Sequence, residues 1–454
     1  MSEPTAGPTT TAPAGLRHAP LPADEVARLH DAALELLAGR GVPVAGAMAR
    51  ELLVAAGASA DAATGRLRLP EALVRRALAT APALFALPGR TADRDVVVGG
   101  GRGGLLAALA AAPDVASAAL LADALPEVAA VGLPTRRLTE LPDVLAATAK
   151  PVLVCGALSA AQAAAVIAVA DALGGRADAP RPPLGVVAHS VAQSELDPLL
   201  ACARAGLACG FLTAPLRGGE PLPDRAAALV ALHAAALAAC ATQQLAAPGS
   251  PYLMPALPAL IEEHAPGYGL GPAGVATFAQ LAQLARHAGL PIAAGFPPGR
   301  PAADEWLAAA DGTAFALAAA LGGAALLAGA GQSDEGSVYA PAQLVLDAET
   351  WSNVAAVGAG ITVDDETIAL ETIAAIGIGG NALAQRHTRR HMKDVWRPRL
   401  FDRSAFEAWE RDGRPGAPGR AAALADEVCL GRKVPPLDAE KRATLRRIIA
   451  KAGL

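Results

Sequence analysis

The sequence predicts an α/β protein built as a (β/α)8 barrel of the TIM type, with helical extensions at its N- and C-terminal ends. Three observations predict it. Short apolar runs of strand length alternate with Ala-rich helical stretches through the middle of the chain, the pattern of a parallel sheet with helices outside. Seven such runs and an eighth candidate approach the strand count of a closed barrel. Helical segments lacking strands of comparable strength precede the first run and follow the last. An open doubly wound sheet is the rival architecture.

Residues 1–20 are rich in Thr, Pro and Ala without an apolar run, and read as a disordered tail and not a signal peptide. Residues 21–94 form an N-terminal helical segment. In it "DEVARLHDAALELLAGRGV" has apolar residues at helical spacing and closes at Gly39 and Gly41. "GRLRLP" reads as a short strand, and "EALVRRALATAP" as a further helix ending before Pro82. Residues 95–360 form the barrel. Its strand candidates are "VAAVGLP", "KPVLVCGA", "PPLGVVAHS", "ACGFLTAP", "SPYLMPAL", "LPIAAGF" and "AALLAGAG", with the eighth near "DVVVGG". Residues 361–454 return to helices and read as a C-terminal cap.

Composition narrows the function classes. The chain has 454 residues, 53% apolar and only 3% aromatic, so its core must be aliphatic. A net charge of -5 and the lack of a basic stripe argue against nucleic acid. Five cysteines without a Cys-x-x-Cys pair read as free thiols in a reducing cytoplasm. Thr313 to Gly331 carries no charge, but Gly322-Gly323 divides it into a helix and a short strand, which argues against a membrane span.

Two motifs invite specific chemistry. "VVVGGGRGGLLAALA" holds Gly99-x-Gly101-x-x-Gly104 after a strand and before what reads as an apolar helix, which is the dinucleotide fingerprint. The next strand ends "VAAVGLPTRR", without the acidic residue that would hold a ribose, so a glycine-rich turn is the better reading. "HTRRH" spaces His387 and His391 as in a zinc protease, but Thr388 stands where the general-base glutamate should be. No metal site is expected.

In a barrel the chemistry sits at the carboxyl ends of the strands. Those ends supply His189 and Ser190; Thr213, Arg217 and Glu220; Glu262, Glu263 and His264; Asp304, Glu305 and Trp306; and the loop "GAGQSDEGSVYAP" with Gln332, Asp334, Glu335 and Tyr339. This last loop turns polar abruptly after the most apolar strand in the chain. No nucleophile elbow or Ser/His/Asp spacing stands out.

Several segments resemble the trimethylamine methyltransferase family of corrinoid-dependent enzymes, including its members without pyrrolysine. They are "LHDAALELLAGRGVPV" with the stretch through "DVVVGGG", "ARAGLACGFLTAPLRGG", "LLAGAGQSDEGSVYAPAQLVLDAE" and "TIALETIAAIGIGGNALAQRHTRRHMKDVWRPRLFDRSAFEAWE". The last is the most specific: Gly379, Gly380, His387, Thr388, Trp396 and Pro398 match a family signature set in a helical cap without zinc.

The resemblance implies a barrel that moves a methyl group from a methylated amine to the Co(I) corrinoid (cobalamin) of a separate corrinoid protein. The family is methanogenesis-related. No cofactor is bound tightly by the barrel itself, and a homo-oligomer is compatible with the family. The chain contains no pyrrolysine, which points to a betaine-like quaternary amine. By residue type and position, His189, Asp304, Trp306, Gln332, Asp334, Glu335 and Tyr339 are the candidates to bind a methylated cation. The alternative is a diverged, non-catalytic barrel that binds a methylated amine or a corrinoid partner.

Overall fold

The structure is a computed structural model and describes residues 18–44, 46–100, 103–190, 196–213, 224–256, 260–261, 268–269, 272–295, 305–333, 336–359, 361–414 and 416–453. Eight strands form one closed, all-parallel barrel: β1 (Gly104–Ala108), β2 (Val128–Pro134), β3 (Val152–Cys155), β4 (Leu184–Ser190), β5 (Ala208–Thr213), β6 (Tyr252–Ala256), β7 (Ile292–Gly295) and β8 (Leu326–Ala330). They neighbour one another in chain order. The sheet closes where β8 pairs with β1, Leu326 opposite Gly104 and Ala328 opposite Leu106.

Three helices come first, α1 (Ala23–Gly39), α2 (Ala47–Ala55) and α3 (Glu71–Leu78). One helix then follows each strand: α4 (Val115–Ala124), α5 (Leu141–Ala147), α6 (Ala160–Leu173), α7 (Leu196–Arg204), α8 (Arg225–Ala246), α9 (Pro272–His287), α10 (Glu305–Gly322) and α11 (Pro341–Gly358). The C-terminal part adds α12 (Asp365–Ile368), α13 (Leu370–Ile376), α14 (Arg386–His391), α15 (Phe406–Arg411), α16 (Ala417–Gly431) and α17 (Ala439–Lys451).

Local sequence explains where the helices start. Ser159 and Gln162 make a reciprocal capping box on α6, and the Asp114 and Asp224 carboxylates accept the free N–H groups opening α4 and α8. Among the described residues, α8 alone is long and apolar enough to cross a membrane, but most of it is buried in the helical layer beneath α1 and α3. The uncharged stretch of the late barrel divides as its glycines require: α10 ends at Gly322, Gly323 takes φ +80°, and β8 starts at Leu326.

One strand differs from expectation. Val96–Val98 of "DVVVGG" is not in the barrel; it pairs antiparallel with Phe85–Leu87. The missing strand is β1, "GLLAA", which had the look of a helix. Leu and Ala favour helices, but a five-residue run buried on both faces carries no periodicity, and pairing to β8 and β2 overrides propensity. Gly104 therefore opens a strand and not a helix. A Cβ there would lie 2.5 Å from that of Ala129, so this glycine serves close strand packing and not a phosphate turn. Gly101 lies outside the described residues.

The Phe85–Leu87/Val96–Val98 hairpin seals the amino end of the barrel. Phe85, Leu87 and Val98 bury against the inward-facing Leu106, Ala130, Leu153, Val187, Leu253 and Leu326. The space beside the hairpin, lined by Leu87, Pro182 and Leu184, is only about 10 Å³, room for one water at most.

Polar ties surround the same end. Asp123, fully buried at the end of α4, accepts from Thr148 Oγ1 (2.9 Å), the Ala149 N–H (2.8 Å) and Arg432 Nε (2.7 Å). Burial alone would raise its carboxyl, but these donors hold it below the usual carboxylate range. Lys150 Nζ donates to the last carbonyls of the same helix, those of Ala122 and Leu125, at 2.6 Å each. Its burial pushes the ammonium down to about 7. Removing one partner of a buried pair strands the others, so Asp123→Ala is expected to cost about 3–5 kcal/mol. Urea unfolding should show that loss, with little change for the exposed Asp178→Ala.

A histidine cluster joins the N-terminal helices to the barrel. His30 of α1 and His233 of α8 share a 2.9 Å hydrogen bond, and the His287 ring of α9 lies 4.9 Å from that of His30. Burial, with His30 and His287 alongside, pushes His233 down to about 3, while burial and His287 lower His30. Arg75 adds to the lowering of His30, and Asp31 and Glu71 oppose it. A folded-state pKa below the unfolded 6.5 gives stability that is present above pH 6.5 and lost as pH falls toward 3. Between pH 8 and 5 the His233 contribution falls by about 2 kcal/mol. The melting temperature of His233→Leu should therefore drop less over this range than that of the native chain.

Candidate functional site

The carboxyl end of the barrel is built differently from the sealed amino end. Strand alternation sets inward positions two residues apart. Above the floor made by Leu106, Ala130, Leu153, Val187, Ala208, Leu253, Ala293 and Leu326, the next inward positions are Ala108, Gly132, Cys155, Gly210, Pro255, Gly295 and Ala328, with His189 the corresponding position of β4, its side chain outside the described residues. Five of them are glycine or alanine. Ala108, Cys155, Gly295 and Ala328 are only half-buried, although they stand in the centre of the fold. The result is a shallow apolar cup open toward the carboxyl ends of the strands. A Cβ on Gly132 would lie 3.6 Å from Cys155 Sγ, so the thiol stands beside the smallest wall position. Burial pushes this thiol up to about 12, and it points back to the Leu153 carbonyl at 3.4 Å. At neutral pH it is a protonated, weakly polar wall and not a nucleophile.

The candidate binding residues divide among the loops around this cup. His189 and Ser190 end β4, their backbones opposite Leu212 and Thr213 of β5. Glu305 opens α10, and Trp306 beside it is 88% exposed on the rim. Gln332 is half-buried and pairs with Tyr339 in a two-stranded hairpin, Gln332–Ser333 with Val338–Tyr339, directly after β8. Arg217, Glu220, Glu262, Glu263, His264, Asp304, Asp334 and Glu335 lie outside the described residues.

Tyr339 faces the layer between sheet and helices. Its ring packs on Gly331, where a Cβ would come within 2.8 Å of Cε2, and on Leu344. Its hydroxyl is buried without a hydrogen-bond partner among the described residues, and burial raises its pKa. Asp347 of α11 supports the same turn: its Oδ2 accepts from the Gly331 N–H at 2.8 Å and its Oδ1 from Gln343 Nε2 at 2.7 Å. Burial pushes this carboxyl up to about 7 against both hydrogen bonds. Nothing in "QLVLDAE" distinguishes Asp347 from a surface acid, and sequence reasoning missed it. Cys155 was missed for a similar reason, since an inward position cannot be told from an outward one when both faces are apolar.

The C-terminal signature lies away from the cup and ties the chain together. Gly379 has φ +82°, and a Cβ on Gly380 would lie 2.0 Å from the Ile376 carbonyl oxygen. The turn between α13 and α14 therefore requires both glycines. His387 Nε2 donates to the Glu366 carbonyl at 2.9 Å, and the Thr388 carbonyl accepts from the Met392 N–H. Trp396 Nε1 donates to Ser352 Oγ of α11 at 3.1 Å, with Arg403 over its ring at 5.4 Å. Pro398 precedes Arg399, which pairs with Glu127 at 2.6 Å and whose N–H donates to Glu349.

The fold brings Glu366, which the sequence did not single out, to His387 and His391, with one ligand-type atom of each within 4.8 Å of the others. These groups already have partners. Arg390 pairs with the Glu366 carboxylate, His387 holds the Glu366 carbonyl, and His391 Nδ1 bonds Asp394 at 2.7 Å. A metal would have to displace the Arg390 guanidinium from the Glu366 carboxylate, so no stoichiometric zinc is expected. Elemental analysis finding one zinc per chain, lost in His387→Ala, would refute this.

A sequence profile described as Trimethylamine methyltransferase (MTTB) matches residues 9–121 and 121–453. The chain is 27% identical over 469 residues to "Trimethylamine methyltransferase MttB" of Desulfitobacterium hafniense (strain DSM 10664 / DCB-2), covering 94% of this chain and 92% of that protein. It is 27% identical over 470 residues to the protein of the same name from Methanosarcina barkeri (strain Fusaro / DSM 804), covering 94% of each. Over 261 residues it is 28% identical to "Glycine betaine methyltransferase" of Desulfitobacterium hafniense (strain Y51), covering 57% of this chain and 54% of that protein.

Proposed function

The chain belongs to the trimethylamine methyltransferase family, and from that premise we propose that it transfers one N-methyl group from a small quaternary amine to the corrinoid of a separate protein. Relatives named for trimethylamine and for glycine betaine support a methylated amine as donor. Within that class, the absence of pyrrolysine from the chain favours a quaternary ammonium compound. The observation that carries the reading is the family match along the whole barrel together with a small-residue cup at its carboxyl end.

The lining favours this chemistry. Ala108, Gly132, Gly295 and Ala328 offer neither acid nor base, and the Cys155 thiol stays protonated. A nucleophile supplied from outside suits this lining, and an uncrowded apolar wall suits the approach of a flat, bulky macrocycle to the rim. The reduced corrinoid supplies that nucleophile when its carrier docks.

The chain's own task is binding and aim. Breaking an N–CH3 bond of a quaternary ammonium leaves the electron pair on nitrogen and releases a neutral tertiary amine, so no general acid is needed. The cup limits the bulk of the donor, and the rim must offset the cost of taking a cation out of water. Carboxylates and aromatic faces do this, each ring contributing about 0.5–2 kcal/mol. We assign that role to Trp306 and to the loops bearing Asp304, Asp334 and Glu335, with His189 and Gln332 beside them. Holding one methyl toward the mouth turns a two-body encounter into an oriented one.

The test is a panel of quaternary amines incubated with the chain and free cob(I)alamin, read by the absorbance of methylcobalamin and by release of the demethylated amine. Turnover of at least one compound is expected. Binding without turnover across the panel would favour the non-catalytic barrel. Glu335→Gln should weaken the bound amine by about 1–3 kcal/mol, as for an unpaired buried polar group. Glu410→Gln, at an exposed carboxylate paired with Arg414, should leave calorimetric affinity unchanged.

A further inference from the structure

We propose that Asp347 of α11 is a positioning residue for the donor-binding rim: through the Gly331 N–H its carboxyl sets the hairpin that follows β8, and its proton decides how firmly that hairpin is held. The consequence for methyl transfer rests on the reaction proposed above; the hold itself does not.

The hairpin needs such an anchor because β8 stops guiding the chain before the hairpin begins. The register of β8 with β1 shifts between Ala328 and Ala330, and no barrel pairing continues past Ala330 among the described residues. Gly329 and Gly331 take φ +104° and +86°, values that suit glycine and few other residues. The turn then converges on one residue. The Gly331 carbonyl accepts from the Ala340 N–H at 2.9 Å and closes the loop, while the Gly331 N–H donates to Asp347 Oδ2 at 2.8 Å. The paired Gln332–Ser333 and Val338–Tyr339, with Asp334 and Glu335 between them in the chain, all lie inside the loop so closed. The support is rigid. Asp347 is 2% exposed on an 18-residue helix, and Gln343 one turn earlier fixes its other oxygen at 2.7 Å.

An acid at this point differs from an amide. Burial raises the Asp347 carboxyl from 3.8 to about 7, against the opposing bonds from Gly331 and Gln343. A carboxyl brought into water by lifting the hairpin ionises near its ordinary value. Opening therefore releases a proton between those two values. The hold is strongest at low pH, weakens as pH rises toward 7 and is constant above it. The neutral acid keeps both bonds: turning the Gln343 amide over presents its Oε1 to the carboxyl O–H, and the other carboxyl oxygen still accepts from Gly331. The titratable groups around it stay protonated through this range. Burial raises Tyr339 on the hairpin, with Cys429 and Asp347 adding to it, and burial and Asp426 raise Cys429 on α16.

The experiment is hydrogen exchange of the full chain by mass spectrometry, following peptides across 329–345 from pH 5 to 8 with the intrinsic chemical rate divided out. In the native chain, opening of this segment should rise roughly tenfold per pH unit between pH 5 and 7, as one proton is released, and level off above. Peptides of α6 should show no such rise. Asp347→Asn, which keeps an acceptor for the Gly331 N–H, should stay protected and lose the pH dependence. Asp347→Ala strands that N–H and should open the segment about tenfold at pH 5. Native exchange here that ignores pH, an Asp347→Asn chain that keeps the native pH profile, or an Asp347→Ala chain with native protection would each overturn the proposal. In the amine assay, Asp347→Ala should raise the half-saturating amine concentration about fivefold with a smaller loss of maximal rate, and Asp347→Asn should not. A loss confined to the maximal rate would overturn the positioning role. The exchange readouts involve no methyl transfer, so their failure is separable from failure of the proposed reaction.

Discussion

The pairing of β8 with β1 is the constraint on which the rest of the structure depends. It removes both edges of the sheet, so every interior strand has its backbone groups satisfied by neighbours and needs no covering element at an edge. Once closed, the sheet can change character only along its axis. Among the described inward positions, the large aliphatic residues Leu106, Leu153, Val187, Leu253 and Leu326 stand nearer the amino end, and glycine, alanine, Pro255 and one thiol nearer the carboxyl end. At this seam the close approach is at Gly103, where a Cβ would lie 2.5 Å from the Ala324 carbonyl oxygen just before β8.

The two ends then divide the work. Polar groups at the amino end are tied together: Asp123, Lys150 and Arg432 bind one another's helices and loops, and the C-terminal chain returns to them through Arg399 and Glu127. Toward the carboxyl end, among the described residues, Asp347 is a buried carboxyl raised to about 7 beneath the turn after β8. It fixes the base of the hairpin carrying Gln332 and Tyr339, while the described cup positions carry one titrating group, the Cys155 thiol, which burial keeps protonated. Tied at one end and lightly furnished at the described positions of the other, the barrel suits the reaction proposed above, in which a second protein supplies the reactive atom.

Much of the architecture was legible in the sequence because seven of the eight strands are apolar runs bounded by clear breakers, and the family signature near "GGNALAQRHT" is specific. The eighth strand was not, because "GLLAA" satisfies helix propensity and strand burial equally, and only its neighbours in space decide. For the candidate site, strand order alone says which loops follow the carboxyl ends, and of the candidates in them the structure describes only the strand ends, the start of α10 and the Gln332–Tyr339 hairpin. Side-chain direction was not legible: Tyr339 looks in sequence like a cation-binding aromatic, while its ring fills the space left by Gly331. Buried acids such as Asp123 and Asp347 carry no local mark either, since their partners lie far along the chain or on the backbone.

The hairpin under the barrel bears on traffic. With Phe85, Leu87 and Val98 filling the amino end, the described residues leave the carboxyl mouth as the doorway, and whatever enters there must leave by it. In the proposed reaction the methyl acceptor occupies that doorway. The amine must therefore arrive first, and its demethylated product must wait for the carrier protein to depart. Order of binding is then a property of the sealed floor and not of relative affinities. A carrier that lingers would slow turnover by trapping product, however fast the methyl group moves.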